Sequence, residues 1–263
     1  MCDKLAKLKR RLSEMGGVVV AYSGGVDSSL LLKVARDVLA ARAVGVMIAS
    51  PLIPDHERQE AEETATQIGA DLVVLEKDRF DDPGFLANRP DRCYVCKAAI
   101  CEQLLAYARM HGYTVIADGS NADDLGDYRP GQRAARECGM QSPLQAVGLT
   151  KAEIRCLARE MGLPNWDKPA SACLASRIPY GSAITREALA QIAKAEQILR
   201  TLGLTQLRVR HHDTIARIEV PPQDLETILN HRSYIVTSLK ALGYAYVTLD
   251  LRGFRSGSMN EVI

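Results

Sequence analysis

The sequence predicts an α/β protein, a doubly wound parallel sheet followed by a smaller α+β C-terminal domain. Three observations predict it. Short apolar runs rich in β-branched residues recur at 18–22, 43–49, 72–75 and 115–117, and a segment of helical period separates each from the next. Polar, motif-rich loops follow Tyr22, Ala49 and Ala117, at the carboxyl ends of the predicted strands, where an open parallel sheet binds its ligands. Past residue 183 the order becomes helix, two alternating runs, two short helical stretches and a last strand.

Each element has a local reason. Leu5, Leu8, Leu12 and Met15 make one face of an opening helix that Gly16-Gly17 stops. Segments 28–41, 55–69 and 93–111 are helical by pattern. Thr150-Lys151-Ala152-Glu153 is a capping box that opens a helix to about Met161. An irregular stretch, 164–182, holds three prolines and Cys173. A helix at 185–202 precedes alternating strands at 207–210 and 215–220, and 245–249 is the last strand. The boundary falls within 165–183, giving domains 1–165 and 166–263.

Composition excludes several classes. The 263 residues are 47% hydrophobic and 25% charged, enough for a sizeable core. Thirty-three basic residues against 32 acidic ones leave a formal charge of +1, so no polyanion-coating role is expected and no nucleic-acid partner. No apolar run reaches the roughly 18 residues of a membrane span, and the N-terminus lacks a signal-peptide apolar region, which predicts a cytoplasmic protein. Seven cysteines in such a chain read as thiols, metal ligands or catalytic groups rather than disulfides.

The first chemical motif is Ser23-Gly24-Gly25-Val26-Asp27-Ser28-Ser29, between a strand and a helix. Unpaired N–H groups and the helix dipole favour an anion there. The two glycines let backbone approach phosphate oxygens, and the hydroxyls of Ser23, Ser28 and Ser29 add donors. A carboxylate beside phosphates is repulsive unless a divalent cation lies between, so Asp27 is assigned to Mg²⁺. The Gly-Lys-Ser/Thr of a Walker loop is absent. The motif resembles the PP-loop of N-type ATP pyrophosphatases, which implies ATP cleaved between the α and β phosphates and an adenylate. Alone, 118–124 is an Asx-rich turn. Beside the first motif it resembles the GxNxDD segment of that superfamily, with Gly119, Asn121 and Asp124 near the nucleotide.

Cys173 stands among small residues between Lys168 and Arg177, cations that would expose a thiolate. The segments SGGVDSS, DGSNADDLGDYRPG (118–131), ACLASRIPYG (172–181), LRVRHH (207–212) and RSGSMNE (255–261) together resemble the LarE family of ATP-dependent sulfur transferases. That family matures the nickel-pincer nucleotide cofactor of lactate racemase, and the resemblance spans nearly the whole chain.

The resemblance implies adenylation of the carboxylates of pyridinium-3,5-biscarboxylic acid mononucleotide and their conversion to thiocarboxylates. It implies sulfur delivered at Cys173, assisted by Ser176 and Arg177, and substrate phosphate held by Arg177, Ser176, Arg208 and Arg210. Arg208 and Arg210 alternate on a strand and share a face; the competing reading is a solvated strand face. Glu196 and Asp224 are weaker Mg²⁺ candidates, and a homo-oligomer, with a hexamer the first candidate, is implied.

Cys93 and Cys96 form a C-x2-C pair that only some members of the family carry. With Cys173 they would ligate a [4Fe-4S] cluster whose fourth iron binds the sulfide; otherwise they are two helix thiols and Cys173 is sacrificed to dehydroalanine. Cys2, Cys101, Cys138 and Cys156 carry no motif. The competing functions are a PP-loop synthetase in which ammonia attacks the adenylate, a tRNA thiolase, and a nucleotide-binding regulator without catalysis.

Overall fold

Eighteen helices and strands follow one another in the computed structural model, which describes residues 2–126, 130–169, 171–255 and 257–260. They are α1 (Cys2–Met15), β1 (Val18–Ala21), α2 (Val26–Leu39), β2 (Ala43–Ala49), α3 (Asp55–Gln67), β3 (Asp71–Glu76), α4 (Pro83–Leu86), α5 (Arg92–Met110) and β4 (Ile116–Ala117). Then come α6 (Pro130–Glu137), α7 (Pro143–Ala146), α8 (Lys151–Glu160), α9 (Arg186–Arg200), β5 (Arg208–His212), β6 (Ile215–Glu219), α10 (Leu225–Asn230), α11 (Arg232–Ala241) and β7 (Tyr246–Leu249). Two units divide the chain: Met1–Ser50, Asp55–Lys77 and Cys93–Ala170 form the first, and Pro51–Pro54, Asp78–Arg92 and Ser171–Ile263 the second.

The first unit is built on a parallel sheet of order β3-β2-β1-β4. Val18, Val19 and Val20 are fully buried, as a central strand covered on both faces requires. On one face Val19, Val44, Val46 and Ile116 pack with Cys101, Leu104 and Ala108 of α5. Leu30, Leu31, Leu32 and Val34 bury α2. The chain moves outward from β1 to β2 and β3, then crosses back to β4 on the other side of β1. That reversal opens a crevice at the carboxyl ends of β1 and β4, and the two predicted motifs lie there. The predicted doubly wound α/β class is the one observed.

In the second unit β5 and β6 pair antiparallel and β6 and β7 parallel. Val209, Ala216 and Ile218 face a core with Ala195 and Leu199 of α9 and Ile235 and Leu239 of α11. The alternate positions, Arg208, Arg210, Arg217 and Glu219, therefore share the opposite face.

Some boundaries differ from expectation. Helix α2 starts at Val26 rather than 28, because Gly25 takes an extended N-cap conformation at φ −77°, ψ 157°. The fourth strand contracts to Ile116–Ala117. Helices α6 and α7 were not anticipated, though each starts with a proline, whose fixed φ suits the first helical position. Helix α8 begins at the predicted capping box: Thr150 Oγ1 accepts from Glu153 N–H at 3.3 Å, and Thr150 N–H donates to Glu153 Oε2 at 2.9 Å. Lys4 of α1 donates to the same carboxylate at 2.8 Å and to Gly148 O at 2.7 Å. The Lys4 ammonium first, then the Thr150 N–H, hold the Glu153 carboxyl down to about 2.

Candidate active site

The glycine loop is shaped by close approach. Gly24 has φ +72°, and a Cβ there would fall 2.4 Å from Ala61 Cβ of α3, so no larger residue fits. Gly119, after β4, packs directly on the start of α2: its Cβ would lie 2.8 Å from Ser28 N and 3.1 Å from Asp27 Cβ. Its role is to let the second loop lie against the first. Ser23 is exposed, and its Oγ lies 3.2 Å from Ser28 Oγ, which donates to Gly25 O at 3.0 Å. These two hydroxyls and the free N–H groups of the first turn of α2 make a donor-rich mouth. Val26 is buried and contributes its backbone only.

Ser29 departs from expectation. It is fully buried; its Oγ accepts from Asn165 Nδ2 at 2.9 Å and donates to Tyr22 Oη at 3.4 Å. One residue further along a helix is a rotation of roughly 100°, which turns Ser29 from the mouth into the core behind the loop. Its hydroxyl is part of the support, not of the phosphate cradle.

Asp27 is where sequence reasoning placed the metal carboxylate, and the structure gives it two partners. Asn121 Nδ2 donates to Oδ1 at 3.2 Å, and Lys151 Nζ lies against Oδ2. Asn121 thus reaches the glycine loop. Asp124 Oδ2 accepts Asn121 N–H at 2.9 Å and fixes the turn. Asp123 accepts the Lys151 backbone N–H at 2.8 Å, fastening the start of α8 to this turn. Lys151 was missed by sequence reasoning, which saw only a capping box. One signal was available: a cation at the first position of a helix opposes the helix dipole by about 0.3–1 kcal/mol and calls for an anionic partner.

In the second unit, Cys173 is exposed and precedes a single 3-10 turn, Leu174–Arg177. Its carbonyl accepts from Ser176 N–H at 3.0 Å and Arg177 Nη1 at 3.0 Å. The guanidinium of Arg177, 2% exposed, pairs through Nε and Nη2 with both oxygens of Glu196 at 2.9 Å each. Glu196 also accepts Val209 N–H at 3.0 Å. Breaking such a buried pair typically costs about 3–5 kcal/mol. Two expectations are corrected here. Glu196 is buried and held by three nitrogen donors, two of them from a cation, and is not poised as a Mg²⁺ ligand. Arg177 spends its charge on Glu196 and the loop carbonyls rather than on the Cys173 thiol, and Lys168 pairs with Glu60 at 2.7 Å.

Arg208 and Arg210 are both buried, which overturns the solvated-face reading. Arg210 donates to Glu219 Oε2 at 3.0 and 2.8 Å, to Ser258 Oγ at 2.8 Å and to Ser176 O at 3.0 Å. Arg208 lies over the Phe254 ring, 5.1 Å from its centroid. Arg217 and Arg255 extend the layer through Asp250 at 3.0 and 3.6 Å, and both are partly exposed. Four arginines, Arg177, Arg210, Arg217 and Arg255, thus share three carboxylates, Glu196, Glu219 and Asp250. Glu219, Ser258 and Arg217 were not foreseen, because an alternating strand does not disclose which partner buries its polar face.

Cys93 is exposed and Cys96 half-buried, both near the start of α5 and three residues apart, hence on one face. Cys101, further along the helix, is buried, and burial pushes its thiol up to about 12, which leaves it unreactive. Asp224 is half-buried in the turn before α10. Among the described residues no group of three or more His, Cys, Asp or Glu side chains gathers as a metal cage. Residues 127–129 of the second motif and 256 and 261 of the last lie outside the described residues. Among the described residues no helix is long and apolar enough to cross a membrane.

Known proteins resemble this chain over its length. A family model described as NAD synthase matches residues 2–82, the part that holds the glycine loop. The chain is 42% identical to an uncharacterized protein of Synechocystis, covering 99% of this chain and 98% of that one. It is 40% identical to the pyridinium-3,5-bisthiocarboxylic acid mononucleotide synthase of Lactiplantibacillus plantarum, over 100% of this chain and 96% of the relative. An uncharacterized protein of Methanocaldococcus jannaschii is 32% identical over 96% and 98%. Full-length identity of this order, joined to a glycine loop at the switch point of a parallel sheet and an arginine-lined second unit, places the chain in the LarE family of PP-loop, ATP-dependent sulfur transferases.

Proposed function

We propose that this chain converts the carboxylates of pyridinium-3,5-biscarboxylic acid mononucleotide to thiocarboxylates at the expense of ATP. The observation that carries the first half is the Asp27–Lys151–Asn121 constellation at the mouth of the glycine loop. Mg²⁺ fits there: Asp27 is the carboxylate that would hold it against the phosphates, where it would neutralise charge on the departing pyrophosphate. Lys151, released from Asp27, supplies the cation that a Walker loop carries within its own sequence. A substrate carboxylate oxygen attacks the α-phosphorus, the bond to pyrophosphate breaks, and an acyl-adenylate forms.

The second half draws on the second unit. Ser23, Gly24, Gly25, Val26 and Ser28 cradle the nucleotide in the first unit, with Gly119, Asn121 and Asp124 shaping that cradle. Arg217 and Arg255, the accessible end of the layer that the buried Arg208, Arg210 and Arg177 support, take the substrate phosphate. Ser176 links the Cys173 turn to Arg210. The Cys173 thiolate attacks the acyl-adenylate and AMP leaves, giving a thioester. Loss of the Cα proton then breaks the Cβ–S bond, leaving the thiocarboxylate on the substrate and dehydroalanine at position 173.

The Cys93–Cys96 pair favours a second sulfur source. The two thiols present one face of α5 and fit two ligand positions of a [4Fe-4S] cluster. Such a cluster would supply sulfide from an open iron and leave Cys173 intact.

The test is pyrophosphate release. Incubation with Mg·ATP should yield pyrophosphate only when the biscarboxylate mononucleotide is present. Release with ammonia and another carboxylate, but not with this one, would favour the synthetase reading, and ATP binding without release would favour the regulator.

A further inference from the structure

Behind the glycine loop lies a side chain that no motif marks. Asn165 follows Pro164 in the segment after α8 and is 7% exposed. Its Nδ2 donates to two groups of the loop, Gly24 O at 2.9 Å and Ser29 Oγ at 2.9 Å. Ser29 passes the network to Tyr22 Oη at 3.4 Å, and Tyr22 donates to Ala61 O at 3.0 Å. One amide therefore joins the loop, the end of β1 and α3.

The segment that carries Asn165 is itself held. Leu163 N–H donates to Ala158 O at 2.9 Å, Lys168 N–H to Asn165 O at 3.2 Å, and Arg155 Nη2 to Lys168 O at 3.2 Å. The same helix, α8, thus presents Lys151 to Asp27 from its first residue and steadies Asn165 beyond its last. The amide orientation is also imposed. Gly24 O can only accept, so the Nδ2 end must face it, and Asn165 Oδ1 is left buried with no hydrogen-bond partner among the described residues. An orphaned buried acceptor is costly, and the arrangement persists because the loop carbonyl demands a donor.

The consequence concerns one peptide plane. In a trans peptide the C=O and the following N–H point in opposite directions. Drawing Gly24 O inward to Asn165 therefore sends the Gly25 N–H outward, to the mouth of the loop. There its bond to the exposed Ser23 Oγ is long, 3.4 Å, and readily exchanged for a phosphate oxygen. Gly24, at φ +72°, has no side chain to hold this plane.

We infer that Asn165 is a positioning residue that sets the Gly24–Gly25 peptide so that the Gly25 N–H is ready for the β or γ phosphate of ATP. The inference rests on the reading of the loop as the ATP site. It is tested by isothermal titration of the full chain with Mg·ATP and, separately, adenosine, on wild type, Asn165→Leu and Asn165→Asp. Leucine removes the donor at similar volume; aspartate places a carboxylate against the Gly24 carbonyl.

For Asn165→Leu the Kd for Mg·ATP should rise about tenfold, from loss of one aligned donor and its network. Asn165→Asp should lose more, while adenosine affinity stays at the wild-type value in both. A general packing role would weaken adenosine and ATP alike, and that result would overturn the inference, as would unchanged ATP affinity in folded variants. If Asn165→Asp does not fold, Asn165→Leu alone decides. Wild type that binds no ATP would overturn the loop reading, and this inference with it; variants that bind as wild type overturn only the inference.

Discussion

Replacing Lys151 by Met should lower the rate of pyrophosphate release by about a hundredfold or more, the usual effect of removing one preorganised charge from a transition state. The folded protein should be nearly unaffected. Lys151 and Asp27 are 31% and 22% exposed, and pairs of that kind contribute at most about 1 kcal/mol to stability. The expected signature is therefore a collapse in kcat with a small change in melting temperature. Lys151→Arg should recover part of the rate, because the charge returns on a longer and differently shaped head group. Asp27→Asn, which removes the carboxylate that would hold Mg²⁺, should be at least as damaging and should not be rescued by higher Mg²⁺ to the wild-type rate. A Lys151→Met protein that releases pyrophosphate at the wild-type rate would remove Lys151 from the reaction.

Cys173→Ala should abolish sulfur incorporation while leaving adenylation within a few-fold of wild type. The substitution keeps the backbone groups that organise the turn. The Cys173 carbonyl would still accept from Ser176 N–H and Arg177 Nη1, and the Arg177–Glu196 pair does not involve the sulfur. What disappears is the exposed thiol itself. The variant should therefore consume ATP, release pyrophosphate and accumulate a tightly bound or slowly hydrolysed adenylate. Thiocarboxylate formed by Cys173→Ala would show that the sulfur comes from elsewhere and would overturn the role given to this residue. Cys93→Ala distinguishes the two sources: it should be silent if Cys173 is sacrificed, and should end multiple turnover if a cluster is the source.

How far the sequence reached depends on the distance over which each feature is determined. Strand β2 was legible to its last residue, because a buried strand of a parallel sheet is an uninterrupted apolar run. The glycine loop was equally legible, since strand, glycines and helix start are contiguous. Lys151 and Asn165 were not. They approach the loop from 124 and 141 residues further along the chain, and nothing local to either names its partner. The arginine face of β5 showed its alternation but not its burial, which depends on Glu219, Ser258 and the 3-10 turn after Cys173. Ser29 was assigned to phosphate because its residue type suits that role; its position, one step round the helix from Ser28, decides otherwise. The division of the chain was illegible for a related reason: residues 51–54 and 78–92 cluster with the second unit although the sheet of the first surrounds them in sequence.

The most direct test of the account is mass spectrometry of both nucleotide and protein after a single turnover with Mg·ATP and the biscarboxylate mononucleotide. The account predicts a product in which one carboxylate oxygen has been replaced by sulfur, with one AMP and one pyrophosphate formed per sulfur gained. The protein mass then assigns the source, falling by one H₂S at Cys173 if that residue is consumed and remaining unchanged if sulfide comes from a cluster. AMP and pyrophosphate formed without any sulfur in the product, or sulfur gained without ATP, would contradict it.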